Sequence, residues 1–242
     1  MATRIAHIRE ATNVQGLSLP LDDGLYLAAK RVLDLLLAVI ALVLLSPLML
    51  LIALAIVIDS PGPVIFKQKR VLGGQPIGTE RPEEHVFDFY KFRTMYHHAD
   101  QTLHRQYMER LINGQAESTA QGGRPLYKLA HDPRITRVGR FLRKTSLDEL
   151  PQLINILRGE MSFVGPRPAI PYEVQQYKPW HLYRLTVQQG LTGLWQVTGR
   201  NQLTFDEMVQ ADIEYMRSRS LLLDARILLA TIPALVSGRG AS

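Results

Sequence analysis

The stretch Arg143-Lys144-Thr145-Ser146-Leu147-Asp148-Glu149-Leu150-Pro151 sets two adjacent carboxylates behind two cations and just ahead of a proline. Two readings of the pair stand. In the first it is structural: Ser146 caps the N–H of Glu149 while Glu149 reaches back to Ser146, or Asp148 is the cap and Pro151 falls within the first turn. Acidic side chains suit the positive end of a helix in either frame. In the second it is chemical, because a helix N-terminus also binds phosphate. Arg143 lies five residues before Asp148, and Arg167 follows in Gly165-Pro-Arg-Pro168. A carboxylate held near arginines is expected to stay ionised at neutral pH. Such a group can attack phosphorus or hold Mg²⁺. Attack on a diphosphate needs its charge neutralised, which Mg²⁺ and arginines can do. The Pro-Arg-Pro frame would fix Arg167 at low entropic cost as a phosphate clamp, or simply pair it with a carboxylate.

The elements that must position these groups begin with an apolar run. Val32 to Ile58 carries a single charge, Asp34, and is long enough to span a bilayer, which takes about 20 apolar residues. Ser46-Pro47 lies at its centre, where proline removes a hydrogen bond and bends a helix. Both flanks are basic, with Lys30 and Arg31 before and Lys67, Lys69 and Arg70 after. A spanning helix has its excess of cations on one side, so a helix that enters, bends and leaves by the same face is the competing expectation. The Ser46 hydroxyl could satisfy the carbonyl that Pro47 frees, and Asp34 would pair with Lys30 or Arg31. The mixed segment ahead of the run and the absence of a small-residue cleavage site argue against a signal peptide.

The chain has 242 residues, a formal charge of +6 and no cysteine, and a pI near 9.6. That size suits one domain with an anchor, and the charge asks for an anionic partner. Disulfides and thiolate metal sites are excluded. Residues 1–29 form an arm, 30–60 the membrane helix and 61–242 the remaining domain. Val64–Val71 and His85–Met95 read as paired strands across a Gly- and Pro-rich loop. His98–Ile112 reads as a helix on the spacing of Leu103, Tyr107 and Leu111, and Asn113–Arg124 as a mobile loop. Asp132-Pro133 reads as the start of a helix bearing Arg134, Arg137, Arg140 and Arg143, either a solvated face or one lying on a membrane. A second helix would bury Leu150, Leu153, Ile154 and Leu157 and stop at Gly159. Tyr172–Gln189 reads as helix broken near Pro179, and Gln189–Arg200 as strand or ordered loop. Leu221–Val236 is short for a span and would pack or lie at the interface.

Two rival functions bear on the same residues. A membrane-anchored binding protein for anionic lipid or nucleic acid would explain the charge, but no nucleic-acid motif appears and none is expected as a partner. A metalloenzyme built on His97, His98, His104 or His131 lacks the spacing of a zinc-binding helix.

Taken together, Lys30-Arg31 with Asp34, Ser46-Pro47, Tyr90–Met95, Asp132–Pro168 and Gly190–Arg200 resemble the bacterial sugar transferases, the monotopic polyprenyl-phosphate phosphoglycosyl transferases. The resemblance covers residue 30 to the end. It implies an α+β, mainly helical fold with a re-entrant helix kinked at Ser46-Pro47, a small β-hairpin and interfacial helices around a cytosolic catalytic domain. It implies transfer of a sugar 1-phosphate from a UDP-sugar, UDP-galactose or UDP-glucose, to polyprenyl (undecaprenyl) phosphate, with Mg²⁺ and membrane lipids as partners. On the same resemblance Asp148 is the nucleophile and a Mg²⁺ contact, and Glu149 positions it or assists the acceptor. Arg143 and Arg167 match phosphate-binding positions, with Lys91, Arg93 and Arg200 as further candidates. Residues 72–86 and 96–131 are longer than in the shortest members, and homo-oligomer formation is left open.

Overall fold

The computed structural model describes residues 24–76, 78–100, 102–116, 119–121, 124–126, 132–199 and 202–236. It is mostly helical, with three two-stranded sheets among the described residues. Helix α1, Gly24–Asp59, is one element of 36 residues with Pro47 inside it, about 54 Å long at the usual rise. It begins earlier than the apolar run and takes in 24–29, which the sequence assigned to the arm. It also runs on through Ser46-Pro47. Pro47 has no N–H for the Val43 carbonyl, and the Ser46 hydroxyl donates to that carbonyl instead, at 2.9 Å. Among the described residues it is the one helix long and apolar enough to cross a membrane.

Asp34 does not pair with its neighbours. Lys30 Nζ reaches Asp224 Oδ2 at 2.7 Å. Arg31 donates to the carbonyls of Ile156 and Leu157 at 2.6 and 2.9 Å. Asp34 Oδ1 accepts from the Phe163 N–H at 3.1 Å. The three charges thus fasten the start of α1 to the domain, where distant polar groups outcompete the adjacent turn.

Strands β1, Ile65–Val71, and β2, Val86–Phe92, are the expected pair and run antiparallel, with Ile65 opposite Phe92 and Val71 opposite Val86. Helix α2 spans Thr102–Ile112. It starts later than His98, which sits in the left-handed region at φ 66°. Where a mobile loop was expected, β3, Thr119–Gln121, and β4, Arg124–Leu126, form a short hairpin.

Helix α3 spans Arg137–Thr145, not the stretch from Pro133. Pro133-Arg134 form a turn closed by the Ile135 N–H on the Asp132 carbonyl at 3.3 Å; Ile135 then bridges to Met95 and the Thr136 N–H donates to the Thr94 carbonyl at 3.1 Å, which holds off the helix until Arg137. Thr136 then caps the helix, accepting from the Gly139 N–H at 2.9 Å. Asp132 is instead held by Arg134, 2.6 Å away. A single 3₁₀ turn, Leu147–Glu149, leads into α4, Gln152–Arg158, which Gly159 ends at φ 80°. Leu153 and Ile156 are its buried apolar residues, while Ile154 faces outward. The stripe is rotated from expectation because Asn155 and Ile156 pack on β2 and α1.

Strand β5, Ser162–Val164, leads to a four-residue helix α5, Pro171–Val174, and a 3₁₀ segment, Pro179–Leu185. Strand β6, Gly190–Thr192, pairs parallel with β5. The expected strand or loop then becomes helix α6, Leu194–Thr198. Helix α7, Phe205–Ser218, follows a Thr204–Glu207 capping box, and α8 is Leu221–Val236. Ala38 of α1 packs with Phe87, Phe89, Leu153 and Ile156, and Ile52 and Ile56 pack with Phe92 and Leu142. The rest of α1 is open: Leu44 and Leu50 are 72% and 71% exposed.

Candidate active site

Lys91 and Phe89 project from the same face of β2, as a two-residue period demands. Lys91 Nζ lies 2.9 Å from Glu149 Oε1 and 3.5 Å from Asp148 Oδ2. Arg167 brings Nη1 and Nη2 each within 3.3 Å of Glu149 Oε1. Arg143, in the last turn of α3, donates from Nε to Thr94 Oγ1 at 2.9 Å and acts electrostatically on Asp148. Three of the candidate cations, Lys91, Arg143 and Arg167, therefore meet the Asp148–Glu149 pair or stand within reach of its field.

The capping readings do not survive. Ser146 adopts the left-handed conformation at φ 56°, ending α3 and opening the turn, and its side chain makes no cap bond. Pro151 occupies the N-cap position of α4. Glu149 is turned toward Lys91 and Arg167, whose full charges attract a carboxylate more strongly than the amides of a short helix.

Burial and charge split the pair. Burial, assisted by Glu149, raises the Asp148 carboxyl above the ordinary aspartate value against the pull of Lys91, Arg143 and Arg167. Burial pushes Glu149 the same way, but Lys91 and Arg167 outweigh it and hold that carboxyl well below the usual range. The cations near the pair thus prevail over burial at Glu149, while at Asp148 burial prevails over them. Two adjacent carboxyls driven apart in this way can take different roles, one a permanent charge and the other a more basic oxygen.

The scaffold beneath is specific. Asn155 accepts from the Tyr90 N–H at 3.1 Å and donates to the Asp88 carbonyl at 2.7 Å, fixing α4 to the strand that carries Lys91. A Cβ at Gly139 would collide with the Thr94 carbonyl, so glycine there lets α3 bring Arg143 to Thr94. Buried Arg70 donates to the Pro168 carbonyl at 2.7 Å, and the Val71 N–H to the Ala169 carbonyl at 2.8 Å, which anchors the Pro-Arg-Pro segment on β1. Sequence reasoning missed Asn155, Thr94 and Arg70 as positioning groups. An asparagine within an apolar helical stripe is a signal for the first; nothing local marks the other two.

Arg93 is placed elsewhere. Buried, it donates to the Ser60 carbonyl at 2.6 Å and to the Pro61 carbonyl, closing the C-terminal end of α1. Arg200 lies outside the described residues. Ser46 and Pro47 lie within the long helix. His104 Nδ1 meets the Tyr172 hydroxyl at 2.7 Å; burial and then Arg70, Arg134, Arg143 and Arg167 press its pKa down to about 4. Among the described residues no group of three or more histidines and carboxylates could hold a metal, so the histidine metal site finds no support there. One carboxylate plus substrate oxygens remains a suitable set for Mg²⁺, and Asp148, met only loosely by Lys91, is the carboxylate with capacity left.

The chain belongs to the bacterial sugar transferases, whose family model matches residues 25–238. It is 42% identical over 213 residues to the exopolysaccharide production protein ExoY of Rhizobium meliloti, covering 88% of this chain and 87% of that protein. It is 40% identical to the UDP-glucose:undecaprenyl-phosphate glucose-1-phosphate transferase of Caulobacter vibrioides, covering 86% and 70%. With the undecaprenyl-phosphate galactose phosphotransferase of Salmonella typhimurium it shares 38% identity over 88% of this chain, but it spans only 41% of that longer protein.

Proposed function

We propose that the protein transfers a sugar 1-phosphate from a UDP-sugar to polyprenyl phosphate at a membrane surface and releases UMP. The observation that carries this reading is the split acidic pair, Asp148 raised and Glu149 depressed, ringed by Lys91, Arg143 and Arg167. The names of the relatives support the substrate classes, a UDP-hexose and undecaprenyl phosphate.

In the first half-reaction an Asp148 carboxylate oxygen attacks the phosphorus that bears the sugar. The bond from that phosphorus to the bridging oxygen breaks, and UMP leaves with the bonding pair. The sugar phosphate is then held as a mixed anhydride on Asp148. In the second, a phosphate oxygen of the polyprenyl phosphate attacks the same phosphorus and Asp148 departs as carboxylate. Lys91 and Arg167 are kept in place by Glu149, and with Arg143 they meet the charge of the diphosphate. Asp148 is the residue that would hold Mg²⁺, which supplies further charge neutralisation when bound.

Exposed apolar groups support the membrane surface. α1 carries most of them; Phe141 on α3 beside exposed Arg137 and Arg140, and Leu222, Leu229 and Ile232 on α8, extend the set. Helices with this mixture lie in the interfacial plane. We read α1 as re-entrant, with the catalytic part on the cytoplasmic face. The test is UMP release in lipid nanodiscs with polyprenyl phosphate, Mg²⁺ and a panel of UDP-sugars. Wild-type protein is expected to release UMP and to carry a sugar phosphate on Asp148 detectable by mass spectrometry when acceptor is withheld. Asp148→Asn is expected to do neither, and UMP release by that variant at the wild-type rate would end the proposal.

A further inference from the structure

A groove of about 460 Å³ runs along the open edge of β1, on the side away from β2, lined by Lys67, Gln68, Lys69, Arg105, Tyr172 and Gln175. Ile170 and Pro171 add an apolar wall, and no carboxylate lines it. Lys69 meets Asp88 at 2.8 Å on the strand's outer face. The Arg105 guanidinium stands 5.6 Å from the centre of the Tyr172 ring. The Val71 N–H leaves β1 on this side to reach the Ala169 carbonyl. The alternation of an antiparallel strand then turns the N–H and C=O groups of Lys69 and Lys67 the same way.

The groove adjoins the acidic pair through one side chain. Arg70 donates from Nη1 to the Pro168 carbonyl, beside Arg167, and from Nη2 to Gln68 Oε1 at 2.8 Å, inside the groove. Tyr172 is tied to His104, which senses Arg143 and Arg167. A ligand whose phosphates lie against Arg167 and Lys91 can therefore extend its other end into this space.

We propose that the groove takes the uridine of the donor, an inference that rests on the donor being a UDP-sugar. Its size lies within the range of small-molecule sites. It offers an aromatic face with a guanidinium beside it, two carboxamides and an open strand edge. Carboxamides and strand edges present donor and acceptor side by side, which suits the acceptor–donor–acceptor edge of uracil. An anionic lipid headgroup would need the cations but would leave the carboxamides and the tyrosine face without a role. No lining residue comes from α1 or α8, the helices with the exposed apolar surface.

Arg105 and Gln175 are exposed and lie outside the catalytic cluster, so their loss leaves the fold intact. In two-step kinetics, groups that bind UMP affect only the donor half-reaction. Arg105→Ala and Gln175→Ala are each expected to lower kcat/KM for the UDP-sugar about tenfold and to weaken UMP binding in parallel, leaving kcat/KM for polyprenyl phosphate unchanged. UMP binding to the nanodisc-embedded protein, measured by calorimetry without acceptor, decides the groove independently of turnover. Unaltered UMP affinity in both variants would overturn the assignment, as would a loss confined to polyprenyl phosphate or to anionic vesicles. Failure of wild-type protein to release UMP from any UDP-sugar, with UMP binding still sensitive to Arg105 and Gln175, would instead remove the proposed reaction and keep the site.

Discussion

Lys91 holds two carboxylates at unequal distances, 2.9 Å for Glu149 and 3.5 Å for Asp148, and it lowers the pKa of both. Removing a cation makes a neighbouring carboxylate harder to ionise. If ionised Asp148 is the nucleophile, the acid limb of kcat/KM for the donor lies above the ordinary aspartate value. In Lys91→Ala it is expected to move to still higher pH while the plateau falls by about a hundredfold. A pH–rate profile of the two proteins checks both the sign and the size. At this scale the sequence was legible where type and spacing were unusual, as for Asp148, Glu149 and Arg167. It misled where one residue type serves two ends. Arg93 binds the carbonyls at the end of α1, and Arg31 binds those at the end of α4. A guanidinium aimed at carbonyls reads the same in sequence as one aimed at phosphate.

The element that orients the pair is α4, and its hold on β2 passes through Asn155. Asn155→Leu keeps the volume but strips partners from the Tyr90 N–H and the Asp88 carbonyl. A cost of about 2–4 kcal/mol is expected, read as a lower Tm, together with loss of activity as Lys91 shifts. The β1–β2 pair and the Gly159 stop were legible because alternation and a left-handed glycine are local signals. The start of α3 was not, because Asp132-Pro133 looks like a cap until Met95, distant in sequence, pairs with Ile135. Helix α7 went unassigned although its Thr204–Glu207 capping box was there to be read; the Thr204 N–H to Glu207 distance is 2.8 Å. On α4 Leu153 was read correctly as buried, but Ile154 faces outward and Ile156 takes its place against α1, because periodicity does not identify the partner that selects the buried face.

For the whole molecule the deciding feature is how α1 joins the rest. Near its start Lys30 meets Asp224 of α8 at 2.7 Å with both side chains buried, and the Tyr26 hydroxyl donates to the same carboxylate at 3.0 Å. At its far end Arg93 grips the carbonyls and Asp59 accepts from the Val138 N–H at 3.1 Å. Lys30→Ala leaves Asp224 buried without its cation and is expected to cost about 3–5 kcal/mol. The double change Lys30→Met with Asp224→Leu is expected to recover much of that in a thermal unfolding assay. The chain has no cysteine, so single cysteines introduced at Leu25 and at Lys69 can be labelled without background. For a re-entrant α1 both are expected to react with an impermeant reagent from one side of a sealed vesicle; labelling of Leu25→Cys from the opposite side would establish a span.

A rod pinned at both ends acts as a depth gauge. With α1 seated in the bilayer as proposed above, the catalytic part would have no slack with which to rise or sink, and Asp148 would keep one fixed height above the lipid tails. Acceptors would then be sorted by how far their phosphate stands out from the bilayer as well as by its chemistry, and catalysis would become a search in two dimensions at that single height.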